Sequence, residues 1–167
     1  IEGHVIRLSA EALVRASMKY ARAVVHVAMM YRHLVAAAGA RVVELEVSVD
    51  ETDTPTSPAE HVFVATELRR LGVTWTSLAP RLVGRFEKGV DYIGDAAAFE
   101  ADWRFHAAIA RVLGPYKLSL HSGSDKFSLY RAVATHTRGV VHVKTAGTSW
   151  LEALRTLATA DAPLFRE

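Results

Sequence analysis

Two histidines and a nearby pair of carboxylates have the residue types needed to hold a metal ion. His121 ends one short strand-like stretch and His142 lies within another. Asp50 and Glu51 follow a third. Two imidazoles with one carboxylate form a common ligand set for a divalent cation. The chain has no cysteine, so thiolate sites are excluded. We therefore predict Asp50, His121 and His142 as ligands of a Zn, Mn, Ni or Fe class ion; the alternative for each histidine is hydrogen bonding within a polar interior.

Four further residues are candidates for proton transfer or charge stabilisation. Glu51 could accept a proton while neighbouring Asp50 holds the ion, although acidic residues also cap loops. Asp125, in the turn after His121, is the second acidic candidate. Lys117 and Lys144 lie within or at the end of predicted strands, where a buried ammonium is costly unless it is paired or used. Three roles stay open for these lysines: contact with substrate oxygens, Schiff-base formation, or an ion pair with a residue such as Glu46.

A group of cationic and hydroxyl side chains follows the predicted strands and suits an anionic substrate. Arginine can bind a carboxylate through two parallel hydrogen bonds, and a turn at a helix start can also receive an anion. Loops rich in Arg and Lys are often simply solvated, so this group depends on the other candidates. The predicted substrate-binding residues are Arg81, Arg85, Lys88, Ser122, Lys126 and Thr145.

The elements that must position these side chains alternate between helix and strand. Apolar residues at helical spacing predict a first helix over 10–38, which ends at Gly39. A capping box at 57–60 and Asp95 predict the starts of two later helices. Four strands are predicted between helices, over 42–49, 73–78, 116–121 and 140–144. Helix-length connections between strands are typical of a parallel α/β sheet built from βα units.

The polar alternation of the strands favours a barrel over a doubly wound sheet. A central strand covered by helices on both faces should be apolar on both, yet one side of three strands is polar. Side chains that point into a barrel interior would show this pattern, and active sites of such barrels lie at the carboxyl ends of the strands. We predict a single partial domain over 1–167, with helix 10–38 followed by four βα units. These units amount to about half of a TIM-like (β/α)8 barrel.

Composition excludes several classes of protein. The formal net charge is +2 over 167 residues and no Lys/Arg run occurs, which argues against a nucleic-acid surface. The longest apolar stretch is interrupted by Arg22 and His26, so no membrane span is expected. No signal peptide leads the chain, which predicts a cytoplasmic location. Both ends read as cuts within a longer sequence, so the expected partners are the rest of its own barrel or a second copy.

The strand ends and loops together resemble the tagaturonate epimerase family. Five segments in the same order carry the resemblance: 46–57, 77–81, 84–95, 114–127 and 142–149. The resemblance implies a divalent metal, a barrel-like α/β fold, a sugar-acid substrate, and the interconversion of tagaturonate and fructuronate. It also implies that relatives extend beyond both ends of this chain.

That reaction constrains the mechanism. The inverted carbon is two bonds from the ketone and two from the carboxylate, so simple enolisation cannot invert it. Retro-aldol cleavage and re-addition is the favoured route, because no dinucleotide fingerprint supports transient oxidation by a nicotinamide. The alternatives are a metal-dependent aldolase, a 4-epimerase of neutral ketoses, or an inactive sugar-acid-binding fragment.

Overall fold

The computed structural model describes residues 1–3, 5–145 and 148–166, in which helices and strands alternate. The helices are α1 (Ala10–Ala38), α2 (Pro58–Arg70), α3 (Ala96–Leu113), α4 (Tyr130–Thr137), α5 (Thr148–Ala160) and α6 (Ala162–Phe165). The strands are β1 (Glu46–Val49), β2 (Ser77–Pro80), β3 (Lys117–Leu120) and β4 (Val141–Val143). A short 3-10 helix, Phe127–Leu129, precedes α4. Ala146 and Gly147, in the last segment of the family resemblance, lie outside the described residues.

The helix starts follow from local capping. Ser57 accepts a hydrogen bond from the Glu60 main chain while the Glu60 carboxylate accepts one from the Ser57 N–H, as the predicted capping box requires. Asp95 accepts bonds from the first turn of α3, and helix α1 has the predicted bounds. These sequence predictions are confirmed, because each depends on contacts within a few residues.

The strands are shorter than predicted, and β2 is displaced. Instead of 73–78, β2 spans Ser77–Pro80, because Val73 donates its N–H to Leu68 O and so completes the end of α2. Thr76 then bonds Leu45 O and brings the chain alongside β1. Val42, within the predicted 42–49 strand, is 95% exposed and precedes the paired residues. A strand begins where a neighbour is available, and that neighbour is far away in sequence.

All four strands are parallel and lie in the order β1-β2-β3-β4. Helix α1 packs on α2, α2 on α3 and α3 on α4. Helices α1 to α4 therefore form one continuous layer, whereas a doubly wound sheet distributes its helices on both faces. The parallel α/β fold is confirmed, and this arrangement agrees with part of a barrel; closure into eight strands stays a prediction.

The two faces of the sheet differ in chemistry. Val47, Leu78, Leu118 and Leu120 point towards the helices and belong to the buried core. The register pairs Glu46 with Ser77, and Ser119 with His142, so polar side chains share the other face. Alternation along each strand thus separates an apolar layer from a polar one.

A buried histidine pair lies on the helix side of the sheet. Nδ1 of His61 is 2.8 Å from Nδ1 of His106, and the Tyr116 hydroxyl is 2.8 Å from His61 Nε2. His106 Nε2 lies 3.5 Å from Asp102 Oδ1. Both histidines are buried in the core. No helix among the described residues combines the length and the apolar character needed to cross a bilayer.

Candidate active site

Glu46 is the centre of the polar cluster on the open face of the sheet. Its Oε1 lies 2.8 Å from His121 Nε2, and its Oε2 lies 2.5 Å from His142 Nδ1. Ser77 donates to Oε2 over 2.8 Å, and Ser119 Oγ lies 3.0 Å from His142 Nδ1. Burial alone would raise the pKa of Glu46, but hydrogen bonds from Ser77, Ser119 and both histidines outweigh it and lower the pKa to about 2. Glu46 therefore stays ionised at neutral pH.

His121 is held between two carboxylates. Its Nε2 faces Glu46, and its Nδ1 lies 2.8 Å from Asp50 Oδ2. An ionised carboxylate can only accept a hydrogen bond, so both ring nitrogens must carry protons in this arrangement. The Asp50 hydrogen bond raises the pKa of His121 against the effect of burial, and Glu46 adds to the rise. Burial would raise the pKa of Asp50, but hydrogen bonds from His121 and Ser48 lower it. The result is an imidazolium between two carboxylates.

A small cavity of about 80 Å³ adjoins this array. It is lined by Asp50, Pro80, Arg81, Leu82, Phe86, His121 and Ser122. Arg81 Nε is buried and has no hydrogen-bond partner among the described residues. A buried guanidinium donor without a partner is unfavourable unless a ligand supplies an acceptor. Arg81 is thus well placed to receive an anion beside Asp50 and His121.

Thr56 fixes the main chain of Arg81. Its N–H donates to Arg81 O over 2.7 Å, and its Oγ1 accepts from Arg81 N over 3.0 Å. The same Oγ1 lies 2.8 Å from the hydroxyl of Tyr20 in α1. Thr56 is 1% exposed, so this junction is shielded from water. The loop after β1, the end of β2 and helix α1 therefore meet at one hydroxyl.

The predicted metal ligands Asp50, His121 and His142 converge on the open face of the sheet, with Glu46 bridging the two histidines. Nitrogen and carboxylate oxygen donors suit a borderline divalent ion. Within residues 1–3, 5–145 and 148–166, no three His, Asp or Glu side chains are arranged around a common point as ligands would be. The donors instead bond one another through protons, which a metal ion displaces when it binds. The donor chemistry of the cluster fits a metal, with Glu46 as an added candidate ligand.

Other predicted residues lie around this cluster. Ser122 lines the cavity and has a positive φ of 47°, unusual for a residue other than glycine. The positive charge of Lys144 lowers the pKa of His121, which places it near the cluster. Asp125 accepts a hydrogen bond from Gly89 N over 2.9 Å. The exposed members of the predicted set are Glu51, Arg85, Lys88, Lys117, Lys144 and Thr145.

The cationic group is smaller than predicted. Lys126 is fully buried, at 0% exposure, and donates to the carbonyls of Glu87 and Val90. Placing it among accessible substrate-binding cations was wrong, because its ammonium is already used within the protein. Arg85 lies 3.7 Å from Glu87 across an exposed ion pair. Arg81 thus carries the strongest case for anion binding.

Sequence reasoning left three important residues out of the site. The sequence allows Glu46 as a metal ligand or as an ion-pair partner of Lys117, but it does not place Glu46 in the predicted site; no Lys117–Glu46 ion pair is found in the described part of the chain. Ser77 and Ser119 support Glu46 and His142. The alternation of side chains along a strand could have identified Glu46 and Ser119. Residues an even number of positions apart share a face, and Glu46 is four positions from Asp50 while Ser119 is two from His121.

Comparisons with known proteins agree with the fold. The profile described as tagaturonate epimerase matches residues 1–167. The tagaturonate/fructuronate epimerase of Thermotoga maritima is 52% identical over 165 residues, covering 99% of this chain and 34% of that protein. Crystal structures of fructuronate-tagaturonate epimerase from Cohnella laeviribosi, native and with one glycerol, are each 48% identical with a TM-score of 0.90.

The matched region covers 98% of this chain and 33% of each crystallised chain. The chain therefore spans about a third of the length of the relatives that it matches. The resemblance predicted from the sequence is confirmed. The chain belongs to the tagaturonate epimerase family.

Proposed function

We propose that this chain forms part of a metal-dependent epimerase that interconverts D-tagaturonate and D-fructuronate. The relatives are named as epimerases of tagaturonate and fructuronate. The observation that carries the proposal is the position of Arg81, with its unpartnered buried Nε, in one small cavity with Asp50 and His121. This geometry suits a substrate that presents a carboxylate at one end and a reacting hydroxyl at the other.

The proposed route is retro-aldol cleavage and re-addition. A carboxylate, Asp50 or Glu51, accepts the proton of the hydroxyl on the inverted carbon. The bond from that carbon to the neighbouring carbon on the ketone side then breaks. Its electron pair moves into the ketone, which leaves an aldehyde and an enediolate. Rotation of the aldehyde, re-addition to its other face and return of the proton complete the inversion with all atoms conserved.

Residues of this chain stabilise the charges that this route creates. With a metal bound, His121 would serve as a neutral ligand, so positive charge for a developing oxyanion has to come from another side chain. Lys144 is exposed near His121 and can add positive charge there. Arg81 would retain the carboxylate-bearing fragment while the aldehyde rotates. A divalent metal bound by Asp50, His121 and His142, with Glu46 as a further candidate, would supply Lewis-acid stabilisation of negative oxygen.

The first test uses the full-length protein and fructuronate. The protein is stripped of metal with a chelator, resupplied with single divalent ions, and assayed for tagaturonate by chromatography. We expect tagaturonate only after metal is restored. Turnover that survives complete metal removal would instead support a Schiff-base lysine or a nicotinamide route. Absence of tagaturonate under every condition would refute the substrate assignment.

The carboxylate role of Arg81 has a matched control in Arg85. Arg81→Met should raise KM for fructuronate by about tenfold or more, because it removes a charge-assisted contact with the substrate. Arg85→Met alters an exposed arginine already near Glu87 and should leave KM within about twofold. Equal effects of the two variants would contradict the proposed anion site. A neutral ketose that turns over as well as fructuronate would favour the neutral-sugar epimerase or aldolase.

A further inference from the structure

Lys126 is a buried lysine that the proposed chemistry does not use. Its side chain is 0% exposed, and Nζ donates to Glu87 O over 2.8 Å and to Val90 O over 2.7 Å. Burying an ammonium group is costly unless its protons are hydrogen-bonded. Burial lowers the pKa of Lys126, while the charges of Asp125, Asp91 and Glu87 oppose that change. The two carbonyls lie in the loop between β2 and α3, so Lys126 joins that loop to the turn after β3.

Two acidic residues add further tethers between the same segments. Asp125 Oδ2 accepts from Gly89 N over 2.9 Å. Asp91 accepts from Ser128 N over 3.2 Å and from Ser128 Oγ over 2.9 Å. The tip of the β2–α3 loop is thus bonded at several main-chain and side-chain atoms by residues 125–128. Such a set of contacts holds a loop in one conformation that would otherwise be mobile.

The tethered loop also forms part of the candidate site. Phe86 lines the cavity with Arg81, and its ring packs 5.3 Å from that of Tyr92 and 6.0 Å from that of Phe99. Arg85 and Ile93 exchange main-chain hydrogen bonds of 2.9 and 3.3 Å, which close the base of the loop. A shift of the tip is therefore transmitted to Phe86 and to the cavity wall.

We infer that Lys126 is a positioning residue that holds the β2–α3 loop against the turn after His121, and so fixes Arg81 and Phe86 relative to His121 for an anionic substrate. This inference rests on the proposed function for its substrate, but the attachment of the loop can be measured without turnover. Lys126 joins the segments that follow β2 and β3, and these segments carry Arg81 and His121 of the cavity lining. Its contribution is to binding geometry rather than to proton transfer.

The test compares three variants of the full-length protein. Lys126→Met keeps much of the length but loses the donors, Ser128→Ala weakens a second tether, and Arg131→Met is a control at an exposed cation of α4. We expect Lys126→Met to raise KM for fructuronate by about ten- to a hundredfold with a smaller change in kcat, because misplaced binding groups weaken substrate alignment. Ser128→Ala should shift KM in the same direction by less, and Arg131→Met should leave it unchanged.

Limited trypsin digestion gives the readout that does not depend on activity. Arg85 and Lys88 lie in the tethered loop, so Lys126→Met should speed cleavage after both, as identified by mass spectrometry. The inference would be overturned if Lys126→Met kept both the protease resistance and the KM of the wild-type protein. It would also be overturned if a lower melting temperature were the only change in that variant. A raised KM with unchanged protection, and no effect of Ser128→Ala, would also overturn it in favour of direct substrate contact.

If Lys126→Met does not fold, Ser128→Ala must still raise both KM and cleavage, or the inference fails. If the wild-type protein does not epimerise fructuronate, the proposed function falls, whereas faster loop cleavage in Lys126→Met would still support the tether.

Discussion

The two histidine networks lie on opposite faces of one sheet and are built for different purposes. His121 lies between Glu46 and Asp50 on the open face, next to a cavity. His61 is 1% exposed on the helix face and contacts His106 and Tyr116. Carboxylate partners raise the pKa of His121, whereas burial and the nearby His106 lower the pKa of His61 well below its usual value.

The contrast shows that the partner set, more than the histidine itself, decides between chemistry and packing. A consistent assignment has Tyr116 donating to His61 Nε2, His61 Nδ1–H donating to His106, and His106 Nε2–H pointing towards Asp102. In that chain His61 is neutral, and both histidines are part of the packed core. The Glu46 cluster keeps charges beside an opening, as is common at functional sites.

The largest expected effect comes from breaking the open-face network at its centre. Glu46→Gln retains the size of the side chain but removes the charge that binds His121 and His142. We expect kcat/KM for fructuronate to fall by about a hundredfold, because the variant removes the carboxylate that positions both histidines and is itself a candidate ligand. Initial rates measure this effect, with Glu44→Gln, an exposed residue shortly before β1, as the control. Activity within tenfold of wild type would show that Glu46 is structural.

Breaking the helix-face network should affect stability instead. His61→Leu leaves the Tyr116 hydroxyl and His106 Nδ1 without their buried partner. The free energy of unfolding should fall by about 2–4 kcal/mol, since each buried unsatisfied group costs about 1–3 kcal/mol. Urea unfolding measures the change, and the exposed His26→Leu control should stay within about 0.5 kcal/mol. If His61→Leu lowered kcat at saturating substrate while stability was unchanged, the division between the faces would be refuted.

The smallest expected effect is a change in how the stability of the protein depends on pH, and it concerns His61. Because the pKa of His61 is lower in the folded state, the unfolded chain binds more protons below its ordinary pKa of about 6.5. The stability contributed by neutral His61 is therefore present above that pH and is lost as pH falls below it. The slope for this one group is at most about 1.4 kcal/mol per pH unit. Urea midpoints between pH 7.5 and 5 should fall less steeply in His61→Leu, and identical slopes would contradict the assignment.

Local features were predictable from the sequence, and long-range ones were not. The bounds of α1 follow from apolar periodicity and Gly39, and α2 and α3 begin at residues whose side chains cap them. The start of β2 depends on Leu45 accepting from Thr76, a pairing across 31 positions that no local pattern encodes.

The site was predictable to the same extent. Strand parity brought Asp50, His121 and His142 to one face, as the structure has them. Burial of Lys126 was invisible, because a lysine in a polar turn looks the same whether its ammonium meets water or two carbonyls. Glu46 was underrated because its partners come from three different strands.

The shared hydroxyl of Thr56 has a consequence for variation far from the cavity. Tyr20 in α1 and the main chain of Arg81 are bonded through that single atom, so a displaced α1 would also displace Arg81, the proposed anion ligand. Substitutions on the first helix will accordingly register as altered substrate affinity, although no residue of that helix lines the cavity. The helix that precedes the sheet would in this way influence substrate specificity from a distance.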